Sequence, residues 1–367
     1  MKTNNLGYPR IGSNRELKKA CELYWAGKIS AEELIDAGKE IRIKNWYLQS
    51  QAGVDLIPSN DFSFYDQVLD LTLTVGAIPQ RYHKFARKNS SLDLYFAMAR
   101  GAQKKGQDVV AMEMTKWFDT NYHYIVPEFT KNQKFELFSE KIINEFKEAN
   151  ALGIATKPVL IGPISYLLLG KEKEEGFNRI DLIDALLPVY FEIFEKLQAE
   201  NAEYIQLDEP FLALNLTDKE RKTFTQVYNE INIRFPKLKV VLANYFDCFG
   251  ENLETALALP VDTFHLDLVP CPLQLDDILE SGKLASNVNL SLGVVDGRNI
   301  WKNDFKKSLE IIKKATDALG ENRILVAPSC SLIHSPCDLD LETNDETLTP
   351  EIKQWLAFAK QKINEIV

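Results

Sequence analysis

KVVLANYF, residues 239–246, decides how the rest of this chain is read. It is a short, continuous apolar run rich in β-branched residues, and it ends in polar and aromatic ones. A strand with one wet face alternates apolar and polar residues, whereas a continuous run suits a parallel strand covered on both faces. Seven more runs share this character. They are GVDLIPSND (53–61), DVVAMEM (108–114), TKPVLIGP (156–163), YIQLDEP (204–210), TFHLDLV (263–269), NLSLGVVDG (289–297) and RILVAPSCS (323–331). Amphipathic helical stretches separate them. Eight such strands alternating with helices predict an α/β fold of the (β/α)8, or TIM-barrel, type. A doubly wound sheet would call for a Gly-rich fingerprint, and neither GxGxxG nor GxxxxGK[ST] occurs.

Ahead of the first of these runs lie about fifty residues that read as helix. The expected organisation is a helical extension over 1–52, packed on a barrel formed by 53–367. Ser13 and Glu16 stand in capping-box spacing before Leu17, Ala20, Cys21 and Tyr24, and Ser30 with Glu33 repeats the pattern. A last amphipathic helix is expected over PEIKQWLAFAKQKINEIV, residues 350–367.

The chain has 367 residues, 45% of them hydrophobic and 26% charged, with a formal net charge of −10. That balance suits a folded domain with a substantial core and argues against general nucleic-acid binding, which needs a broad basic face. Five scattered cysteines without a CxxC read as reduced thiols in a cytoplasmic protein. MKTNNLGYPRIG shows no apolar signal region, and no run, LLLG at 167–170 included, is long enough to span a membrane.

Barrel function collects where the strands end. The side chains there are Asn60 and Asp61; Glu113, Lys116 and Trp117; Asp208 and Glu209; Asn244, Tyr245 and Asp247; His265 and Asp267; Cys330 and His334. No HxC, HExxH or CxxC joins them into a zinc motif, and no GxSxG supplies a nucleophile elbow. Cys330 reads as a small buried residue and His265 as a hydrogen-bonded core histidine. Asp208 and Glu209 are adjacent, so on a strand they point opposite ways.

The cations stand out more. Arg10, Arg15, Lys18, Lys19 and Lys116 gather near loops expected at one end of the barrel. Lys19 and Lys105 read as solvated surface. Arg15 and Lys18 are three apart on one helix face, beside backbone N–H groups that favour anions. Cations at a helix start oppose its dipole, and a bound anion would reverse that term. The pattern points to a small polyanionic ligand.

LGYPRIGSNRELKKACELYWAG, AGVDLIPSNDFSFYDQVLD, EMTKWFDTNYHYIVPEF, TKPVLIGPISYLLLG, QLDEP and SCSLIHSP together resemble the N-terminal half of the cobalamin-independent methionine synthase family, 5-methyltetrahydropteroyltriglutamate–homocysteine methyltransferases. The resemblance runs in order over essentially the whole chain. It implies the first of two face-to-face barrels, with no cobalamin. The second barrel would hold zinc on His, Cys, Glu and Cys, together with homocysteine. The first would help bind the folate polyglutamate tail, through Arg15, Glu16, Leu17, Lys18 and Lys116. On this reading no catalytic or metal-binding residue lies in this chain, which alone would be inactive. Its partners would be 5-methyltetrahydropteroyltriglutamate and the C-terminal zinc barrel, with no nucleic acid and no membrane. If the barrels are duplicates, Tyr245 and Asp247, with Cys330, would mark a vestigial metal position. A non-catalytic barrel docking a separate partner, and a stand-alone metal-dependent barrel enzyme, are the competing readings.

Overall fold

The computed structural model describes residues 1–83, 91–104 and 107–367. Lys105 lies outside the described residues. Eight parallel strands form one sheet: β1 (Lys2–Thr3), β2 (Ile57–Ser59), β3 (Thr156–Ile161), β4 (Tyr204–Asp208), β5 (Lys239–Ala243), β6 (Thr263–Asp267), β7 (Asn289–Val295) and β8 (Ile324–Pro328). Each pairs with its sequence neighbour, and β1 pairs with β8 through Lys2 opposite Leu325. The ring closes between β1 and β2. Asn4 bridges Leu56, Asn5 N–H donates to Leu56 O at 3.1 Å, and Leu56 N–H donates to Thr3 O at 3.0 Å. The barrel is therefore as expected, but two strand assignments change.

The run 108–114 is not a barrel strand. Gln107–Val109 pairs antiparallel with Ala102–Lys104, and Met114–Lys116 pairs antiparallel with His123–Ile125. Both hairpins belong to a long insertion between β2 and β3. The missing strand is β1, inside the polar stretch MKTNN. Its polar character does not disqualify it, because the residue that continues it, Asn4, spends its side chain inside the barrel. Asn4 is fully buried and donates from Nδ2 to Ser291 Oγ at 2.9 Å. Residues 1–52 thus do not precede the barrel: they supply its first strand and the connection to its second.

That connection holds α1 (Glu16–Trp25) and α2 (Ala31–Ala52). The Ser30–Glu33 box at the start of α2 forms, with Glu33 N–H on Ser30 Oγ at 3.1 Å and Ser30 N–H on Glu33 Oε2 at 2.7 Å. The Ser13–Glu16 box does not form. Glu16 Oε2 accepts instead from Asn14 N–H at 2.9 Å, and Arg15 takes the N-cap position. Leu17, Ala20 and Cys21 pack with Leu34, Ile41, Phe62, Leu69 and Met98 into a second apolar core beside that of the barrel. The expected C-terminal helix is split into Pro350–Lys353 and Ala359–Ile366. The chain between them pairs with the segment after β7, where Ala357 N–H donates to Ile300 O at 2.8 Å.

The thiol reading also changes. Cys248 and Cys271 form a disulfide between the segments following β5 and β6, while Cys21, Cys330 and Cys337 are free. Among the described residues no helix is long and apolar enough to cross a membrane.

Candidate functional site

The barrel interior is wired rather than open. Lys157, buried on β3, donates to Gln206 Oε1 and to Asn5 O at 3.2 Å. Gln206 Nε2 donates to Asp208 Oδ1 at 2.6 Å, and Tyr245 O–H donates to Asp208 Oδ2 at 3.1 Å. Burial lowers the Lys157 ammonium to about 7 and raises Asp208 to about 6. His265 is the hydrogen-bonded core histidine its position suggested, 3.0 Å from Ser291 Oγ and 2.9 Å from Ser329 O, and burial pushes it down to about 4. Asp208 and Glu209 do point apart. Glu209 turns outward from the barrel, accepts from Ser165 N–H at 2.8 Å and Tyr228 O–H at 3.1 Å, and thereby caps the helix Pro163–Leu169. Neither carboxylate is poised for acid–base work on a substrate.

Aromatic rings pack across the mouth at the strands' C-terminal end. Phe118 lies 5.6 Å from Phe211 and 5.7 Å from Phe246, and Phe246 lies 5.6 Å from His334. The Arg298 guanidinium sits 4.9 Å over Phe246 and bonds Asp119 at 3.0 Å. Phe118 and Phe246 hold φ values of 52° and 80°. That region is costly for bulky residues and persists only where the surroundings impose it. Beneath the rings, Asp61, Tyr122, Asp208, Tyr245 and His334 line a cavity of about 20 Å³. It has room for about one water. Burial raises Asp61, which accepts from Tyr8 N–H at 2.9 Å, to about 7, and lowers His334 to about 4 with help from Arg298.

The basic residues divide. Arg10 is committed internally, donating to Ser63 O at 2.9 Å and to Tyr65 O, with its guanidinium over Tyr122. It is not a free anion ligand. Arg15 is exposed at the start of α1 in the left-handed region, φ 61° and ψ 36°, and no side chain caps the helix there. Gly12, at φ 79°, makes the preceding turn, and Arg15 N–H donates back to Gly12 O at 3.0 Å. Glu16 is half-buried. Leu17 is 2% exposed, so its side chain belongs to the second core, and its N–H donates to Ile11 O at 3.1 Å. Lys18 is 51% exposed, with Glu22 at 3.7 Å. Lys116 is exposed on the hairpin strand Met114–Lys116, opposite His123. Among the described residues no ion pair joins it to α1. The structure thus groups Arg15, Glu16, Leu17 and Lys18 on one helical turn and sets Lys116 on a different element.

The mouth rings were not legible as a unit. Phe118 follows the quoted EMTKW and Phe246 closes KVVLANYF, but no periodicity announces a left-handed backbone or a meeting of two distant loops. As for a vestigial metal position, Tyr245 is spent on Asp208, Asp247 Oδ1 accepts from Cys248 N–H at 2.8 Å, and Cys330 is buried. Among the described residues no group of three or more His, Cys, Asp and Glu side chains is placed to hold a metal.

Residues 2–320 match the family model described as "Cobalamin-independent synthase, N-terminal domain". The chain is 92% identical over 367 residues to a 5-methyltetrahydropteroyltriglutamate–homocysteine methyltransferase of Flavobacterium johnsoniae, covering all of this chain and 47% of that protein. It is 60% identical over 369 residues to the protein of the same name from Cytophaga hutchinsonii, covering 48% of it. The chain thus spans about half the length of these curated relatives. A solved B12-independent methionine synthase from a Shewanella species, in complex with selenomethionine, superposes with a TM-score of 0.57 at 13% identity, over 100% of this chain and 93% of that one. At that identity it speaks to the fold alone.

Proposed function

This chain belongs to the family of cobalamin-independent synthase N-terminal domains, and from that premise we propose that it is the barrel that helps hold the polyglutamate tail of 5-methyltetrahydrofolate while the methyl group passes to homocysteine, giving methionine. The observation that carries this reading is the start of α1. Arg15 and Lys18 lie within one turn of each other, both exposed, on a helix whose N-cap carries no side-chain acceptor. The first N–H groups of a helix lack intrahelical partners and favour anions. Cations there cost about 0.3–1 kcal/mol each when exposed, and a carboxylate docked among them would remove that cost. A short chain of glutamates offers several carboxylates at variable spacing. Lys116, on its own hairpin, would meet a different carboxylate of the same tail.

The relatives' names support a polyglutamate ligand, which this reading assigns to Arg15, Glu16, Leu17, Lys18 and Lys116, with Leu17 seating that turn in the second core. Tail binding far from the reacting atoms would supply orientation and remote binding energy. The reacting groups would come from the other half of the longer relatives, where zinc would supply activation of the homocysteine thiol as thiolate. A mouth filled by Phe118, Phe211, Phe246 and His334 speaks against a stand-alone catalytic barrel. On this reading the chain acts in the cytoplasm and has no turnover by itself.

Calorimetric titration with 5-methyltetrahydrofolate bearing one or three glutamates tests the proposal. The triglutamate should bind more tightly, with an affinity that falls as salt rises. Arg15→Ala and Lys18→Ala should each weaken it by roughly fivefold, about 1 kcal/mol. Equal binding of the two forms, or no effect of either substitution, overturns the assignment.

A further inference from the structure

Cys248 and Cys271 sit 23 residues apart, on the segments that follow neighbouring strands β5 and β6, with Cα atoms 5.5 Å apart. That separation lies in the ordinary range for a bridge. The two segments meet at two further points: Phe246 N–H donates to Asp267 Oδ2 at 2.9 Å, and Phe249 N–H donates to Gln274 Oε1 at 2.6 Å. These bonds hold the two cysteines opposite each other whether or not the sulfurs are joined. Cys248 is half-buried at the rim, and Cys271 is buried behind it. Phe246, two residues before Cys248, carries the ring that meets Phe118, His334 and Arg298.

We propose that Cys248 and Cys271 form a reversible thiol–disulfide switch that locks the Phe246 loop to the β6 loop across the barrel mouth. The oxidant is a low-molecular-weight disulfide of the glutathione type. The more accessible Cys248 thiolate attacks one of its sulfurs, forming a mixed disulfide and releasing one thiolate. Cys271 then gives up its proton, attacks Cys248 Sγ and expels the second thiolate. Two protein thiols are oxidised and one small disulfide is reduced to two thiols. Reduction runs the same steps backwards, entering at Cys248. The locked form holds Phe246 in its left-handed conformation, and the reduced form leaves that task to the two hydrogen bonds. The switch is independent of the tail-binding assignment, because it is argued from the loops after β5 and β6 and uses neither α1 nor Lys116.

The experiment equilibrates the whole chain in glutathione buffers of graded redox poise and quenches it in acid. Free thiols are then labelled under denaturing conditions and mapped by mass spectrometry. Cys248 and Cys271 should lose their labels together in a single transition, while Cys21, Cys330 and Cys337 stay labelled throughout. Hydrogen exchange on the two end states should show amides of 245–249 and 268–273 opening roughly tenfold more often after reduction. The proposal is overturned if both cysteines stay labelled in oxidised glutathione, if the bond resists dithiothreitol in the folded protein, or if exchange at these loops is the same in both states.

Discussion

The barrel mouth and the start of α1 both follow the C-terminal ends of strands, and they use charge in opposite ways. At the mouth, Arg298 is paired with Asp119 and stacked on Phe246, Asp208 is held by Gln206 and Tyr245, and Arg10 is spent on two carbonyls. At α1, Arg15 and Lys18 face water at the end of a helix that disfavours them. These mouth groups are partnered, because an unmade buried hydrogen bond is expensive. Among the described residues Arg15 makes no ion pair and Lys18 keeps only an exposed one with Glu22 at 3.7 Å, so a ligand is the economical explanation for cations placed where the backbone repels them.

The largest effect that would sharpen this contrast concerns Asp61, half-buried beneath the aromatic rings. Its carboxyl titrates near 7 in the folded chain, against 3.8 for an ordinary aspartate. The folded state therefore binds its proton more tightly than the unfolded state does. The stability this provides is present below pH 3.8 and is lost as pH rises through 7. His265 and His334, lowered to about 4, work against it: their stabilisation grows as pH rises from about 4 to 6.5. Asp61→Asn should remove the share of the downward component that Asp61 carries, leaving that of other raised carboxyls such as Asp208 in place. Urea unfolding from pH 4 to 8 should show the variant gaining on the parent toward pH 8, by an amount on the order of a few kcal/mol. A constant difference across that range would mean that the Asp61 carboxyl is not raised by its surroundings at the mouth.

Most of the ring was legible, and the reason is physical. β3 to β8 are covered on both faces and must be apolar along their length, so they announce themselves. β1 escapes because the residues that continue it are polar and paired: Asn4 on Ser291 inside the barrel, and Asn5 on Gln49 of α2. The 108–114 run looks like a strand and is one in part, but its partners lie within the insertion. The anionic-ligand hint came from charge placed against a dipole, which can be read from spacing. The mouth could not be read that way, since Phe118, Phe211, Phe246 and His334 come from four separate segments. Nor could Cys248 and Cys271, whose pairing rests on the adjacency of β5 and β6 rather than on any spacing of their own.

A middle-sized effect probes the strain at Phe246. Phe246→Ala removes the ring and keeps the left-handed cost, whereas Phe246→Gly removes both. Loss of a fully buried Phe costs about 3–5 kcal/mol, and Phe246 is only half-buried, so the alanine variant should lose about 2 kcal/mol. The glycine variant should be more stable than the alanine one by about 1 kcal/mol. Denaturant melts of the two decide the matter. Equal stability would show that the φ of 80° is not being imposed at a cost.

The smallest effect is also the most telling about α1. Arg15 occupies a left-handed N-cap at φ 61°, a place where glycine is at ease and arginine is not. Arg15→Gly should relieve that conformation and remove a cation from the positive end of the helix dipole, raising stability by up to about 1 kcal/mol. The same change should weaken triglutamate binding several-fold while leaving the monoglutamate form little affected. A residue kept for the fold would show the reverse, with stability falling and binding unmoved. A gain in stability bought by a loss of binding at one position would separate a side chain that serves the barrel from one that serves the ligand, which is the distinction the mouth and α1 pose.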